Sequence, residues 1–223
     1  MTHHCDQCVS RKGNVFCSLP QEGVELLDRT KVTSRYKKGQ YIFYEGNNPG
    51  GIFCVNSGIV KLESSGASGN NHILRMVSSG GLLGYRSLFA SEPYGASALV
   101  QEDAAVCFIP KESIENLIQK YPDVALNFLT RISKELRQAE GRFCGLTDKN
   151  ASERIAEALL FLKDSFPEQV WTRKEIAEWA GTTPETVMRT LAEFEDQGLI
   201  EQSGRRILIK NKKFLFDMAN LSF

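Results

Sequence analysis

The sequence predicts an α+β fold: an antiparallel β-roll, then a long dimerisation helix, then a C-terminal winged helix-turn-helix. Three observations carry that prediction. Between Tyr41 and Ile109, apolar runs of four to eight residues alternate with glycine-rich turns, the pattern of an antiparallel roll or sandwich. From Ala125 to Leu146, apolar or small residues recur in steps of four and three, which is a heptad stripe. From Ala151 onward, helical periodicity gives way to a short hairpin, the order of a winged helix-turn-helix.

Composition supports two domains. A chain of 223 residues suits two units of about 100 residues each. It is 42% hydrophobic and 24% charged, ordinary for a globular protein that buries its own core. With 27 basic and 27 acidic residues the formal charge is zero. That excludes a bulk polycation but leaves local phosphate-binding patches open. No run approaches the roughly 18 apolar residues of a membrane span. The stretch "MTHHCDQCVSRKGN" is too polar for a secretory signal, so a cytoplasmic location is expected. Six cysteines there read as thiols or metal ligands rather than as a disulfide framework.

The expected organisation is a cysteine-rich segment at 1–18, a sensor roll at 19–120, the dimerisation helix at 121–147 and a DNA-binding domain at 148–223. In the roll, "YIFYEG", "GIFCVNSGIVKLES", "HILRMV", "GGLLGY", "ASALVQ" and "AAVCFIP" read as strands, with "NNPGG", "NSG", "SGASGNN" and "SSGG" between them. No helix of any length is expected among them. "PKESIENLIQKYP" is a short helix stopped by Pro122. The heptad residues that follow are Ala125, Leu129, Ile132, Leu136, Ala139, Phe143 and Leu146. A stripe this narrow suits pairing with a second copy, chiefly through Leu129, Ile132, Leu136, Ala139 and Phe143. The alternative is a helix lying on its own domain's core.

In the second domain "TRKEIAEWAG" and "TTPETVMRTLAEFEDQG" form two helices joined at Gly181, and "LIEQSGRRILIKN" forms a wing. Gly181 permits the left-handed turn. Thr183 is a suitable N-cap and Pro184 a suitable first helical residue. Val187, Leu191 and Phe194 then face inward, leaving Glu185 and Arg189 together on the opposite face. In such a motif the front of the second helix enters the major groove. There an arginine donates twice to guanine and a glutamate accepts from cytosine. The competing reading is a plain salt bridge on a solvated helix. Thr172, Arg173, Thr182 and Thr183 flank the turn, Thr186 and Met188 share the exposed front, and Arg205 leads a basic cluster with Arg206, Lys210, Lys212 and Lys213 at the wing. Against this, the domain from Lys149 onward carries 11 basic and 12 acidic residues.

The segment "TRKEIAEWAGTTPETVMRTLAEFEDQGLIEQSGRRILI" closely resembles the C-terminal domain of the CRP/FNR superfamily of bacterial transcription regulators. "KKGQYIFYEGNNPGGIFCVNSGIVKL" is similar to the first half of that family's cyclic-nucleotide-binding-like β-roll. The resemblance covers the chain from about Leu19 onward. It implies a homodimer on a two-fold symmetric DNA site, with Glu185 and Arg189 as base readers, and it implies RNA polymerase as a partner. Pro184 and Met188 depart from the best-known members.

Members that bind cyclic AMP carry Gly-Glu and Arg-Ser pairs. Here those places hold Gly84-Tyr85, with Arg86 displaced by one, and Ala96-Ser97. A buried phosphate without its arginine lacks a charge partner, which argues against a cyclic nucleotide. Any effector pocket would involve Gly84, Tyr85, Arg86 and Ser97. Cys5, Cys8 and Cys17 resemble the cysteine cluster of oxygen-sensing members, with Cys107 at the place of the fourth ligand. The resemblance implies a [4Fe–4S] cluster, although the eight residues between Cys8 and Cys17 exceed the family spacing. Zinc held by three cysteines with His3 or His4, dithiol redox sensing, and buried structural thiols stay open. An enzyme is not expected, since only three histidines occur and no catalytic constellation appears. The other rivals are the same DNA-binding role under a small-molecule or cyclic-nucleotide effector, and a regulatory module that does not bind DNA.

Overall fold

The computed structural model describes residues 4–66 and 71–220. They divide into two compact units, one running to Ser65 and resuming over Ile73–Arg137, the other containing everything from Gln138.

The first unit opens with a single turn, α1 (Val9–Lys12), and the helix α2 (Gln21–Thr30). Strands β1 (Val32–Tyr36), β2 (Tyr41–Phe43), β3 (Gly51–Ser65), β4 (Asn71–Val77), β5 (Leu82–Leu83) and β6 (Ser97–Pro110) form an antiparallel roll, with the short helix α3 (Tyr85–Ala90) inserted before β6. Its order is β1-β6-β3-β4, with β2 also on β6 and β5 also on β3. Helix α4 (Lys111–Lys120) follows, and α5 (Asp123–Asp148) carries the chain out of this unit.

Two expectations for the roll need correction. "NSG" is no break: β3 runs on through it, because Gly58 takes a φ of 86° and absorbs a register shift between Ser57 and Ile59. A Cβ at Gly58 would stand 2.5 Å from the Asp103 carbonyl oxygen, so a bulge replaces the turn only because the residue is glycine. Likewise "ASALVQ" and "AAVCFIP" are one strand, β6, paired with β3 along most of its length. "GGLLGY" contributes only two strand residues. Gly84, with φ of 80°, then reverses the chain into α3, the helix that the sequence pattern did not reveal.

Two apolar clusters fill the roll. One gathers Phe43, Val55, Val60, Leu62, Val77, Leu83, Tyr94 and Val100, with the Phe43 and Tyr94 rings stacked 3.9 Å apart. The other joins Cys5, Phe16, Leu27, Ile52, Cys54, Tyr85, Cys107, Leu117, Val124 and Phe128. The beginning of the chain, the sheet and the first turns of α5 thus share one core.

The second unit comprises the end of α5, then α6 (Ala151–Ser165), α7 (Arg173–Ala180), α8 (Pro184–Asp196), a two-stranded wing of β7 (Ile200–Ser203) and β8 (Arg206–Ile209), and α9 (Lys212–Met218). Capping boxes at Asn150 with Glu153 and at Thr172 with Glu175 start α6 and α7. Its core is Ile155, Leu159, Trp171, Ile176, Val187, Leu191, Phe194, Ile207 and Leu215, each at most 5% exposed.

Candidate nucleic-acid interface and cysteine cluster

α7 ends at Gly181, whose φ of 63° is the left-handed turn expected of it. Leu146 lies so close that a Cβ there would meet its side chain at 2.8 Å. Thr183 caps α8 by accepting the Thr186 N–H at 3.3 Å, and Pro184 opens the helix. Val187 and Leu191 are fully buried and Phe194 nearly so. Their burial fixes the helix's rotation, so Glu185, Met188 and Arg189 point to solvent on the opposite side. Met188 is 53% exposed, a large apolar side chain held in water beside the arginine.

The acid and the base on that face do not pair as expected. Glu185 bends back to the helix start, where its own backbone N–H and the Thr183 hydroxyl hold its carboxyl below the usual carboxylate range. Free N–H groups at a helix N-terminus draw an anion this way. Arg189 is left projecting without Glu185 to orient it.

Arg173 is a second correction. Its guanidinium donates to the side-chain oxygen of Gln202 and to the Arg205 carbonyl at 3.2 Å, tying α7 to the wing rather than reaching outward. Thr172 is committed to capping α7, its hydroxyl 2.8 Å from Glu175. Thr182 is half-buried in the turn, and Arg205 and Arg206 stand exposed at the wing tip. Of the other wing cations, Lys210 pairs with Glu201 at 2.5 Å and Lys212 with Asp164 at 2.8 Å. Arg205 and Arg206 at the tip, and the exposed Lys213 at the start of α9, stand outside these pairs.

The heptad stripe remains open. Leu129 is 59%, Leu136 57% and Phe143 68% exposed, and Ala139 is exposed with them. The face of α5 that packs onto its own roll is a different one, carrying Val124, Phe128 and Glu135. Ile132 is shared, being packed partly against the roll's core.

The expected effector residues do not converge. Tyr85 is fully buried. Its hydroxyl donates to the Glu135 carboxylate and accepts from Arg75 at 3.2 Å. Arg86 points to solvent, and the Ser97 hydroxyl accepts the Glu45 N–H at 2.9 Å. Gly84 serves the turn into α3. A tyrosine and an ion pair fill this place.

The cysteine set also differs from expectation. Cys5 and Cys107 lie buried in one core cluster, Cys8 is half-buried at the start of α1, and Cys17 is exposed just beyond the buried Asn14, Val15 and Phe16. All six cysteines are free thiols. Among the described residues, no three cysteine, histidine or carboxylate side chains stand close enough to enclose a metal ion. His4 is engaged elsewhere, with Nδ1 2.8 Å from Asp28, and His3 lies outside the described residues. Cys54, absent from the expected set, faces Cys107 across β3 and β6. Burial first, then the neighbouring Cys107 and Cys8, push its thiol up to about 12. The sequence did hold a signal, since "GIFCVNSG" and "AAVCFIP" each centre a cysteine in an apolar strand, but only their pairing register makes them neighbours.

A roll, a long helix and a winged helix-turn-helix with an outward arginine define a DNA-binding transcription regulator. Residues 33–121 match the cyclic nucleotide-binding domain and residues 153–218 the Crp-like helix-turn-helix domain. The chain is 30% identical over 216 residues to the transcriptional activator protein anr of Pseudomonas aeruginosa, covering 92% of this chain and 88% of that one. It is 27% identical over 229 residues to the fumarate and nitrate reduction regulatory protein of Escherichia coli, covering 97% and 90%. The solved structure of FixK2 from Bradyrhizobium japonicum superposes with a TM-score of 0.74 at 25% identity, over 87% of this chain and all of that one. The chain belongs to the CRP/FNR family of transcription regulators.

Proposed function

We propose that two copies pair along α5 and read a palindromic DNA site, one α8 per half-site, under control of a redox signal received by the N-terminal cysteines. The observation that carries the DNA reading is the front of α8, where three inward apolar residues leave Met188 and Arg189 facing outward. Arg189 has the length and donor geometry for guanine O6 and N7. Met188 offers an apolar surface to a thymine methyl. Thr182, Thr183, Thr186 and Arg205 lie where phosphate contacts would set the register. The open stripe of Leu129, Leu136 and Phe143 supports pairing.

The redox reading rests on the shared core. Cys5 and Cys107 pack in the cluster that also receives Val124 and Phe128 of α5, and Asn127 donates to the Val15 carbonyl at 3.0 Å. A change of state at the thiols would therefore strain the seating of α5 and alter the pairing of two copies. A relative named as a fumarate and nitrate reduction regulatory protein agrees with a redox signal. The protein would act in the cytoplasm and engage RNA polymerase from its DNA-bound form.

Selection of bound duplexes from a random pool tests this. Inverted repeats with half-site centres about 34 Å apart are expected. Recovery of asymmetric or unrelated sequences would remove the reading.

A further inference from the structure

We propose that Trp171, Lys163 and Arg205 form a phosphate-oxygen site in a recess between α6, α7 and the wing. This rests on the DNA reading above and adds a hold on the strand backbone that the front of α8 does not supply. The recess is walled by Leu159, Leu162 and Ile207, and its three polar members are Trp171, Lys163 and Arg205. Its volume is about 10 Å³, room for about one oxygen-sized group.

Two observations point to an anion there. The first is the Trp171 indole N–H. The residue is 3% exposed, and its N–H meets no acceptor among the described residues. A buried donor left in that state costs about 1–3 kcal/mol, and a buried tryptophan is ordinarily given a partner. The ring is held edge to face with Phe166 at 5.8 Å, and the capping box of Thr172 with Glu175 pins the chain that follows.

The second is charge. No lining residue is acidic. The carboxylates of Asp164, next to Lys163 in α6, and of Glu201 on β7 are committed to Lys212 at 2.8 Å and Lys210 at 2.5 Å. Burial first, then the Arg206 charge, holds the Lys163 ammonium below the usual lysine range. Cations pressed together in this way gain from an anion between them. A water molecule would satisfy the indole but bring no charge to Lys163 and Arg205. A phosphate oxygen does both. The DNA backbone and inorganic phosphate share this chemistry.

The test uses the full chain. Trp179→Phe leaves Trp171 as the one remaining tryptophan of two, so its emission reports on the recess. A selected palindromic duplex and inorganic phosphate are titrated separately. Emission should shift with the duplex and recover with added salt, and a shift with inorganic phosphate as well would extend the site to the free anion. A shift with neither overturns it. Lys163→Gln, checked for unchanged melting, should weaken matched and unrelated duplexes alike by about tenfold. It should also lower the salt dependence of binding by about one ion per copy, and Lys163→Arg should restore both. Trp171→Phe keeps a ring and removes the donor, and should weaken binding with the salt dependence unchanged. Wild-type affinity and salt dependence in Lys163→Gln would remove the site while leaving base reading by Arg189 intact. If wild type binds no duplex, the DNA reading falls, and the inorganic-phosphate titration upholds or overturns the site by itself.

Discussion

The Tyr85 hydroxyl donates to the carboxylate of Glu135, so the helix that ends the short β5 turn grips the long helix α5 from inside the core. Arg75 pairs with the same carboxylate, and Arg131 Nε reaches it at 3.0 Å. Tyr85→Phe keeps the buried ring and removes only the donor, at a cost of about 1–2 kcal/mol. Glu135→Ala strips two arginines of their partner and should cost about 3–5 kcal/mol. Denaturant titrations of the two variants check this order. Equal losses would mean that the Tyr85 hydroxyl bond, not the pairing with Arg75 and Arg131, accounts for what Glu135 contributes.

Pairing of two copies should depend on the exposed stripe. Leu136, 57% exposed, contributes little to the fold of one chain. Leu136→Glu should therefore leave the melting of the monomeric fold within about 0.5 kcal/mol while shifting sedimentation to a single copy. A variant that still sediments as two copies would place the interface elsewhere.

Acid should loosen the N-terminal segment through Asp28. Burial alone would push its carboxyl up, but hydrogen bonds from Lys31, His4 and the Cys5 N–H outweigh it and hold it well below the usual carboxylate range. A depressed folded-state value stabilises above the unfolded carboxylate value near pH 4. That contribution fades as pH falls from there toward the folded value. The group is partly exposed, so the gain at neutral pH is under about 1 kcal/mol. Asp28→Asn should melt below wild type at pH 7, and the gap should close on acidification below about pH 4. A gap that persists unchanged would show that the carboxylate charge is not the anchor.

The architecture was legible because burial imposes periods: Val187, Leu191 and Phe194 face inward as their spacing demands, and the stripe of α5 stays open for the same reason. Side-chain direction at the site was less legible. Glu185 was free to choose between Arg189 and the bare N–H groups of its own helix, and the nearer donors won. Arg173 looked like a phosphate contact until the wing's carbonyls came within its reach. Both choices depend on distances that spacing does not encode. Cys54 was missed because cross-strand register, not sequence proximity, brings it to Cys107.

The wing offers a further check on that correction. Arg173→Ala removes three-way bonding to Gln202, Gly204 and Arg205. It should lower stability by about 1–3 kcal/mol, with only a secondary effect on DNA affinity. A loss of affinity at unchanged stability would return Arg173 to the interface.

The outward arginine is the point on which the account turns, and binding of Arg189→Ala to a selected palindromic duplex at fixed salt tests it most directly. Each half-site should lose about 1–3 kcal/mol, with melting and non-specific affinity nearly unchanged. Wild-type affinity and sequence preference in that variant would contradict the reading of DNA by α8.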